Sequence, residues 1–249
     1  MEARLWARKK ALLIQSDDWG MCAWCATSQA YEDLHPLGFM RTPWSAGTLE
    51  TPADMERLFA LLEHFHGGDG LPALFEPIYM VGSPDYDAIA ANGFTAYVDA
   101  GLDQGVASGW ERGDIVGKAR DGMTRGVWHP GYHGRAHHFS PGAWTERLRR
   151  GEERAHFAFR RRSYVSENVA DRLPEFDGMG DTERYAWVSE GLNRFERAFG
   201  YRARSTRNHD YSGSDREPCA RSSMVACVAS RTKVPCPSST NRSWSSRSR

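Results

Sequence analysis

Short apolar runs of strand length alternate with amphipathic helical stretches along this chain, and that alternation constrains the fold more than any other feature. Residues 10–16 (KALLIQS) read as a short buried strand, and residues 73–81 (ALFEPIYMV) as a second. Between them, Thr51-Pro52-Ala53-Asp54 has the make-up of a helix start: a hydroxyl cap, proline at the first helical position and an acid in the first turn. Met55, Leu58, Phe59, Leu62 and Phe65 follow at helical spacing, and Gly67-Gly68 closes the run. Over 113–125 a second helix places Ile115, Val116, Ala119 and Met123 on one face; Gly126 then releases the chain into a short strand at 127–129. Ser140-Pro141 opens another helix to about Arg150, 182–199 forms a further one ended by Gly200, and 201–206 supplies a fourth strand. Strands alternating with helices predict an α/β fold with a mostly parallel sheet or barrel.

A chain of 249 residues is long enough to bury a sizeable core. Its 32 basic residues balance its 32 acidic ones, so the overall field makes no case for nucleic acid or a membrane surface as partner. Residues 11–14 form an apolar run too short for a signal segment, and no stretch reaches the roughly 18 apolar residues of a membrane span. A cytoplasmic protein is the expectation. Five cysteines with no export signal argue against a disulfide framework; Cys22-Ala-Trp-Cys25 has C-x-x-C spacing but no second pair outside the C-terminal stretch, so both read as small residues near a helix start. Beyond about Ser214 the composition changes: ten serines, three cysteines and seven basic residues against two acids, without helical or strand periodicity. Residues 214–249 are therefore expected to be a disordered tail, of the composition that a shifted reading frame of GC-rich DNA would encode. Residues 1–213 are left as the folded domain.

The chemistry concentrates in two places. Residues 128–144 (WHPGYHGRAHHFSPGAW) hold four of the nine histidines, with His129, His133 and His137 spaced by four. On a helical turn either successive pair would face one way, but Pro130 disfavours a helix, and 130–139 reads as a loop leaving a strand. Imidazoles at such spacing suit a divalent transition metal, although H-x-x-x-H alone is a modest signal. Asp17-Asp18 at the end of the first strand sharpens it, because two adjacent carboxylates are costly to hold ionised side by side. A cation relieves that cost: one carboxylate binds it, and the other stays available to accept a proton from attacking water. Capping of the next turn explains one aspartate and leaves the other unaccounted for.

Strand-Ser-Asp-Asp-Trp-Gly followed much later by a histidine pair four apart resembles the polysaccharide deacetylase superfamily of metal-dependent carbohydrate esterases, in particular a branch carrying the H-P-x-x-H-G-R-x-H form. The resemblance covers about residues 10–212 and is specific at two motifs. It implies an incomplete distorted (β/α) barrel. It also implies Asp17 as general base, Asp18, His133 and His137 as metal ligands with His129 in reserve, and zinc or another first-row divalent ion as cofactor. His133-Gly-Arg-Ala-His137 ahead of Phe139-Ser140-Pro141 matches the family context better than the His129–His133 pair does. Arg204, in Arg202-Ala203-Arg204-Ser205, is the candidate for the family's basic third motif, and Trp19 stands directly after the aspartate pair. The later motifs would fall beyond Tyr211, which leaves the resemblance truncated.

The implied reaction is hydrolysis of an acyl group, acetyl first, from a carbohydrate amide or ester; the competing reading is an inactive remnant that binds carbohydrate or metal. Trp19, Trp44, Tyr132 and Arg204 are the candidate substrate contacts, with core packing the competing role for Trp44 and Tyr132. Glu76 is a further acid that could join the site or be paired elsewhere, and Arg160-Arg161-Arg162 reads as a solvated helix face. The expected partner is a carbohydrate or small acylated molecule, with neither nucleic acid nor membrane.

Overall fold

Three parallel strands carry the architecture of the computed structural model, which describes residues 14–39, 47–136, 140–164, 175–203 and 206. Strands β1 (Ile14–Trp19), β2 (Phe75–Met80) and β5 (Gly131–Gly134) form one sheet in the order β1-β2-β5. Strands β3 (Gly82–Pro84) and β4 (Asp99–Gly101) pair antiparallel beside it. The chain is thus mixed α/β with a parallel three-stranded sheet, and among the described residues that sheet does not close into a barrel. No helix among them is long and apolar enough to cross a membrane.

Helices form where local chemistry starts and stops them. α2 (Pro52–His64) opens with a full capping box: Thr51 accepts from the Asp54 amide while the Asp54 carboxylate accepts from the Thr51 amide. α4 (Ile115–Thr124) and α5 (Pro141–Arg149) begin at Asp114 and Ser140 caps, and α7 (Asp181–Phe199) ends at Gly200 with φ 80°, a left-handed cap. The helix start read near Cys22 and Cys25 is α1 (Ser28–Leu34), whereas α3 (Tyr86–Ala91), α6 (Glu153–Phe159) and the β3–β4 pair have no counterpart in the sequence reading. All are short, so their patterns are too brief to read as periodicity.

Aromatic side chains build the core. Trp128 stacks on Phe75 at 5.1 Å and takes Phe59 of α2 and Trp19 of β1 edge-on at 5.0 and 4.9 Å. On the far side, Tyr86, Trp144 and Phe159 bring α3, α5 and α6 together. α7 lies over β5, where Phe195 meets the Tyr132 ring, and Arg120 of α4 donates to the Ala198 carbonyl at its end.

Several expectations are corrected. The first strand does not end before the aspartates: β1 runs through Asp17 and Asp18. The strand expected at 127–129 is only a bridge between Trp128 and Phe75; the true strand lies inside the expected loop, at Gly131–Gly134, and is buried throughout. Its cause is the buried slot beside β2, which a short Gly-Tyr-His-Gly segment fills without local periodicity. Arg161 and Arg162 do not form a solvated helix face, because they follow the end of α6 and pair with Asp33 and Asp87. Of the strand expected at 201–206, a single bridge from Thr206 to Tyr132 lies among the described residues. The tail expected at 214–249 lies outside them.

Candidate functional site

Asp18 and His133 meet at the C-terminal ends of the parallel strands, where open α/β sheets place their ligand sites. The Asp18 Oδ1 lies 3.2 Å from His133 Nε2, with the imidazole almost fully buried and the carboxylate 43% exposed. The sheet order makes this meeting unexpected: β1 and β5 flank β2, so their backbones are roughly 10 Å apart at regular strand spacing.

Two register slips close the gap. β1 advances from Ser16 to Trp19 while β2 advances only from Pro77 to Tyr79, so the Asp17-Asp18 pair carries one extra residue. β5 advances from Tyr132 to Gly134 while β2 moves only from Tyr79 to Met80, which makes His133 the extra residue there. Bulges of this kind bend a strand and re-aim a side chain. Asp18 accordingly has φ 68°, a left-handed conformation that aspartate tolerates better than most residues but that still stores strain. Gly134 follows His133 with φ 146°, a value that a side chain would oppose.

Carboxylates hold both strand exits, half-buried Glu50 at one and buried Glu175 at the other. Behind Asp18, the Gly20 amide donates to Glu50 at 3.1 and 3.2 Å. Gly20 has φ 73°, and an added Cβ would come within 2.9 Å of the Met80 carbonyl oxygen, so the turn after β1 has room for glycine alone. Burial pushes the Glu50 carboxyl up to about 7, with Asp54 adding to the rise and the Gly20 amide opposing it. Behind His133, the Arg135 and Ala136 amides both donate to Glu175 Oε1 at 2.9 Å, and Trp187 Nε1 donates to the same oxygen at 2.6 Å. The Arg135 guanidinium lies over the Trp187 ring at 3.6 Å and binds Asp99, which also receives Arg194.

The remaining candidates fall elsewhere. Asp17 is partly buried beside Asp18 in the same bulge. His129 is exposed and stacks flat on Tyr201 at 5.5 Å, while its amide donates to Phe75 at the opposite end of the sheet. Four residues of extended chain span about 13 Å, so the spacing that would unite two histidines on a helix separates His129 from His133 here. Tyr132 is buried with its hydroxyl against Gly191 of α7, a core position rather than a sugar platform. Trp19 packs among Phe75, Tyr79 and Trp128. Glu76 accepts from Gln15, beside which it sits in register, and stays out of the site. His137, Trp44 and Arg204 lie outside the described residues. Cys22 and Cys25 are buried thiols whose pKa values burial raises to about 12 and about 11, which opposes the thiolate that redox or zinc chemistry needs.

Could one ion sit between Asp18 and His133? Two ligands each about 2.0–2.1 Å from zinc at a tetrahedral angle lie about 3.3 Å apart, close to the separation found here. The donor set, one imidazole nitrogen and one carboxylate oxygen, suits a first-row divalent ion. Among the described residues no group of three His, Cys, Asp or Glu side chains converges on a point. Compared with protein-family models, curated proteins and solved structures, the chain matches none of them. Any function is therefore argued from the site.

Sequence reading missed Glu50, Asp99 and Glu175, and it quoted Arg135 within H-G-R-x-H without giving it a role. Arg135 was the one with a signal, since an arginine fixed inside a histidine motif needs an acidic partner. Glu50 and Glu175 carry no local pattern at all.

Proposed function

We propose that this chain is a metal-dependent hydrolase that removes an acyl group, acetyl first, from an amide or ester on a carbohydrate, as its likeness to the polysaccharide deacetylases implies. The three parallel strands are read as part of the incomplete distorted barrel of that family. The single observation behind the reading is the Asp18–His133 pair, drawn together by two bulges at the sheet edge. Asp18 Oδ1 and His133 Nε2 would hold the divalent ion, zinc or another first-row metal, with His137 as third ligand. When bound, such an ion supplies Lewis acidity to a carbonyl oxygen. Asp17 accepts the proton of the attacking water as the water oxygen bonds to the acyl carbon and the carbonyl π pair moves to its oxygen; return of that pair breaks the bond to the sugar nitrogen or oxygen, which leaves as amine or alcohol with the proton that Asp17 took up. The His133 imidazole is buried, and the exposed side of Asp18 leaves the approach to a substrate open.

Elemental analysis of purified wild type and His133→Ala tests the ligand assignment. Stoichiometric metal in the wild type and its loss in the variant are expected; metal retained by His133→Ala overturns the site. Hydrolysis of acetylated chitooligosaccharides with added metal tests the reaction, with Asp17→Asn keeping the metal and losing about a hundred- to ten-thousand-fold in rate. Metal binding without turnover in the wild type would favour a binding remnant instead.

A further inference from the structure

The carboxylate of Glu175 holds the backbone that leaves His133. β5 ends at Gly134, so the amides of Arg135 and Ala136 have no strand to pair with. Both turn onto one oxygen, Glu175 Oε1, and the Trp187 indole of α7 donates to that same atom. Glu175 is 3% exposed. Burial at that depth disfavours the charge and raises the pKa of the Glu175 carboxyl, while the Trp187, Arg135 and Ala136 donors oppose the rise. Three N–H donors converging on that one oxygen fix two successive peptide planes. Those planes are the ones that follow the His133 bulge, and they immediately precede His137 in the chain. The arrangement is tied to the rest of the fold at two further points. Trp187 carries the Arg135 guanidinium on its ring, and Arg135 bonds Asp99 of β4.

From this geometry we propose that Glu175 is a positioning residue: by capturing the Arg135 and Ala136 amides it sets the direction of the His133 imidazole toward Asp18. The proposal rests on the metal-site reading above, in that His133 is the side chain whose aim matters. Carboxylates hydrogen-bonded directly to a ligating side chain change metal affinity by about ten- to a hundredfold when they are lost, and Glu175, acting through the backbone, is expected at the lower end of that range.

The test compares wild type with Glu175→Gln, which keeps an acceptor oxygen of the same reach and replaces the carboxyl by an amide. Ile89→Val, a change in the buried core of α3, serves as a control for loss of stability alone. Two readouts are taken on folded, full-length protein: the imidazole nitrogen signals of His133 by NMR, assigned with His133→Gln, and the affinity for added Co(II). Glu175→Gln is expected to move the His133 signals and weaken Co(II) binding about tenfold or more, while Ile89→Val moves neither. Should Glu175→Gln not fold, Glu175→Asp keeps the carboxyl, withdraws the oxygen by one carbon–carbon bond, and is expected to act in the same direction. Unmoved His133 signals with unchanged Co(II) affinity in a folded Glu175 variant overturn the proposal. A wild type that takes up no Co(II) overturns the metal reading instead, and the His133 signals alone then decide the role of Glu175.

Discussion

The two ends of the parallel sheet are built on opposite terms. At the N-terminal end the strands keep register, Ile14 opposite Phe75 and Phe75 bridged to Trp128, and large aromatic rings fill the space behind them. The C-terminal end breaks register twice within a few residues, places Asp18 at a positive φ, and replaces apolar packing with acids that accept from backbone amides. One end maximises contact, and the other gives up regular pairing to aim polar side chains. Strand β5 and its approach show both in one short segment: His129 is a stacked surface residue at the first end, and His133 is a buried half of the candidate site at the second. The lesson is that a histidine's chemistry follows from which end of the strand it occupies, not from its spacing to the next histidine.

The strongest way to break this contrast is Trp128→Ala. Trp128 is 2% exposed and touches Trp19, Phe59 and Phe75, so its removal should cost about 3–5 kcal/mol of stability in denaturant unfolding. The folded fraction should still bind metal with wild-type affinity. If metal affinity per folded molecule falls as it does in His133→Ala, the two ends are not separable and the contrast fails.

Glu50 sharpens the same comparison through pH. Its carboxyl titrates near 7 in the folded chain, above the ordinary carboxylate range, because burial and nearby Asp54 disfavour its charge more than the Gly20 amide favours it. The folded state therefore holds a proton that the unfolded chain releases. This contribution to stability is complete below the ordinary carboxylate pKa of about 4.3 and is lost as pH rises through 7. Glu50→Gln is neutral throughout, so its melting temperature relative to wild type should climb between pH 5 and pH 8. An offset that stays flat across that window would show that the Glu50 carboxylate is not desolvated as described. Surface acids such as Glu146, held to about 2 by Arg149 and Arg150, act in the opposite sense and only at lower pH.

The smallest effect belongs to His129→Ala. Loss of one exposed stack on Tyr201 should cost under about 1 kcal/mol and leave metal content untouched. A drop in bound metal in this variant would return His129 to the ligand set and erase the distinction between the two ends.

How legible was all this beforehand? The helix starts were readable because their causes are local: Thr51 and Asp54 bond to each other's amides across three residues, and Ser140 caps α5 in the same way. β2 was readable as an apolar run bounded by turns, and it was found within 73–81. The aspartate pair and the histidine motif were visible as residues, and the structure places Asp18 beside His133. His137, Trp44 and Arg204 were visible too but lie outside the described residues. By contrast, β5 was read as a loop, since Gly-Tyr-His-Gly has no alternation; the neighbouring strand makes it a strand by supplying partners. Trp19 stood as a candidate substrate contact and Tyr132 as either a substrate contact or a core residue, because an aromatic beside a motif looks the same whether it faces a cleft or a core.

The sequence alone determined the α/β alternation, the main helix boundaries and the chemical inventory of the site, because caps, glycine stops and apolar periodicity act between residues a few positions apart. Only the tertiary structure decided that β1 and β5 flank β2, that a bulge in each brings Asp18 to His133, and that Glu50 and Glu175 anchor the turns behind them. Those facts depend on register and burial between segments far apart in the chain, and a one-residue slip redirects a side chain without leaving any mark in local composition.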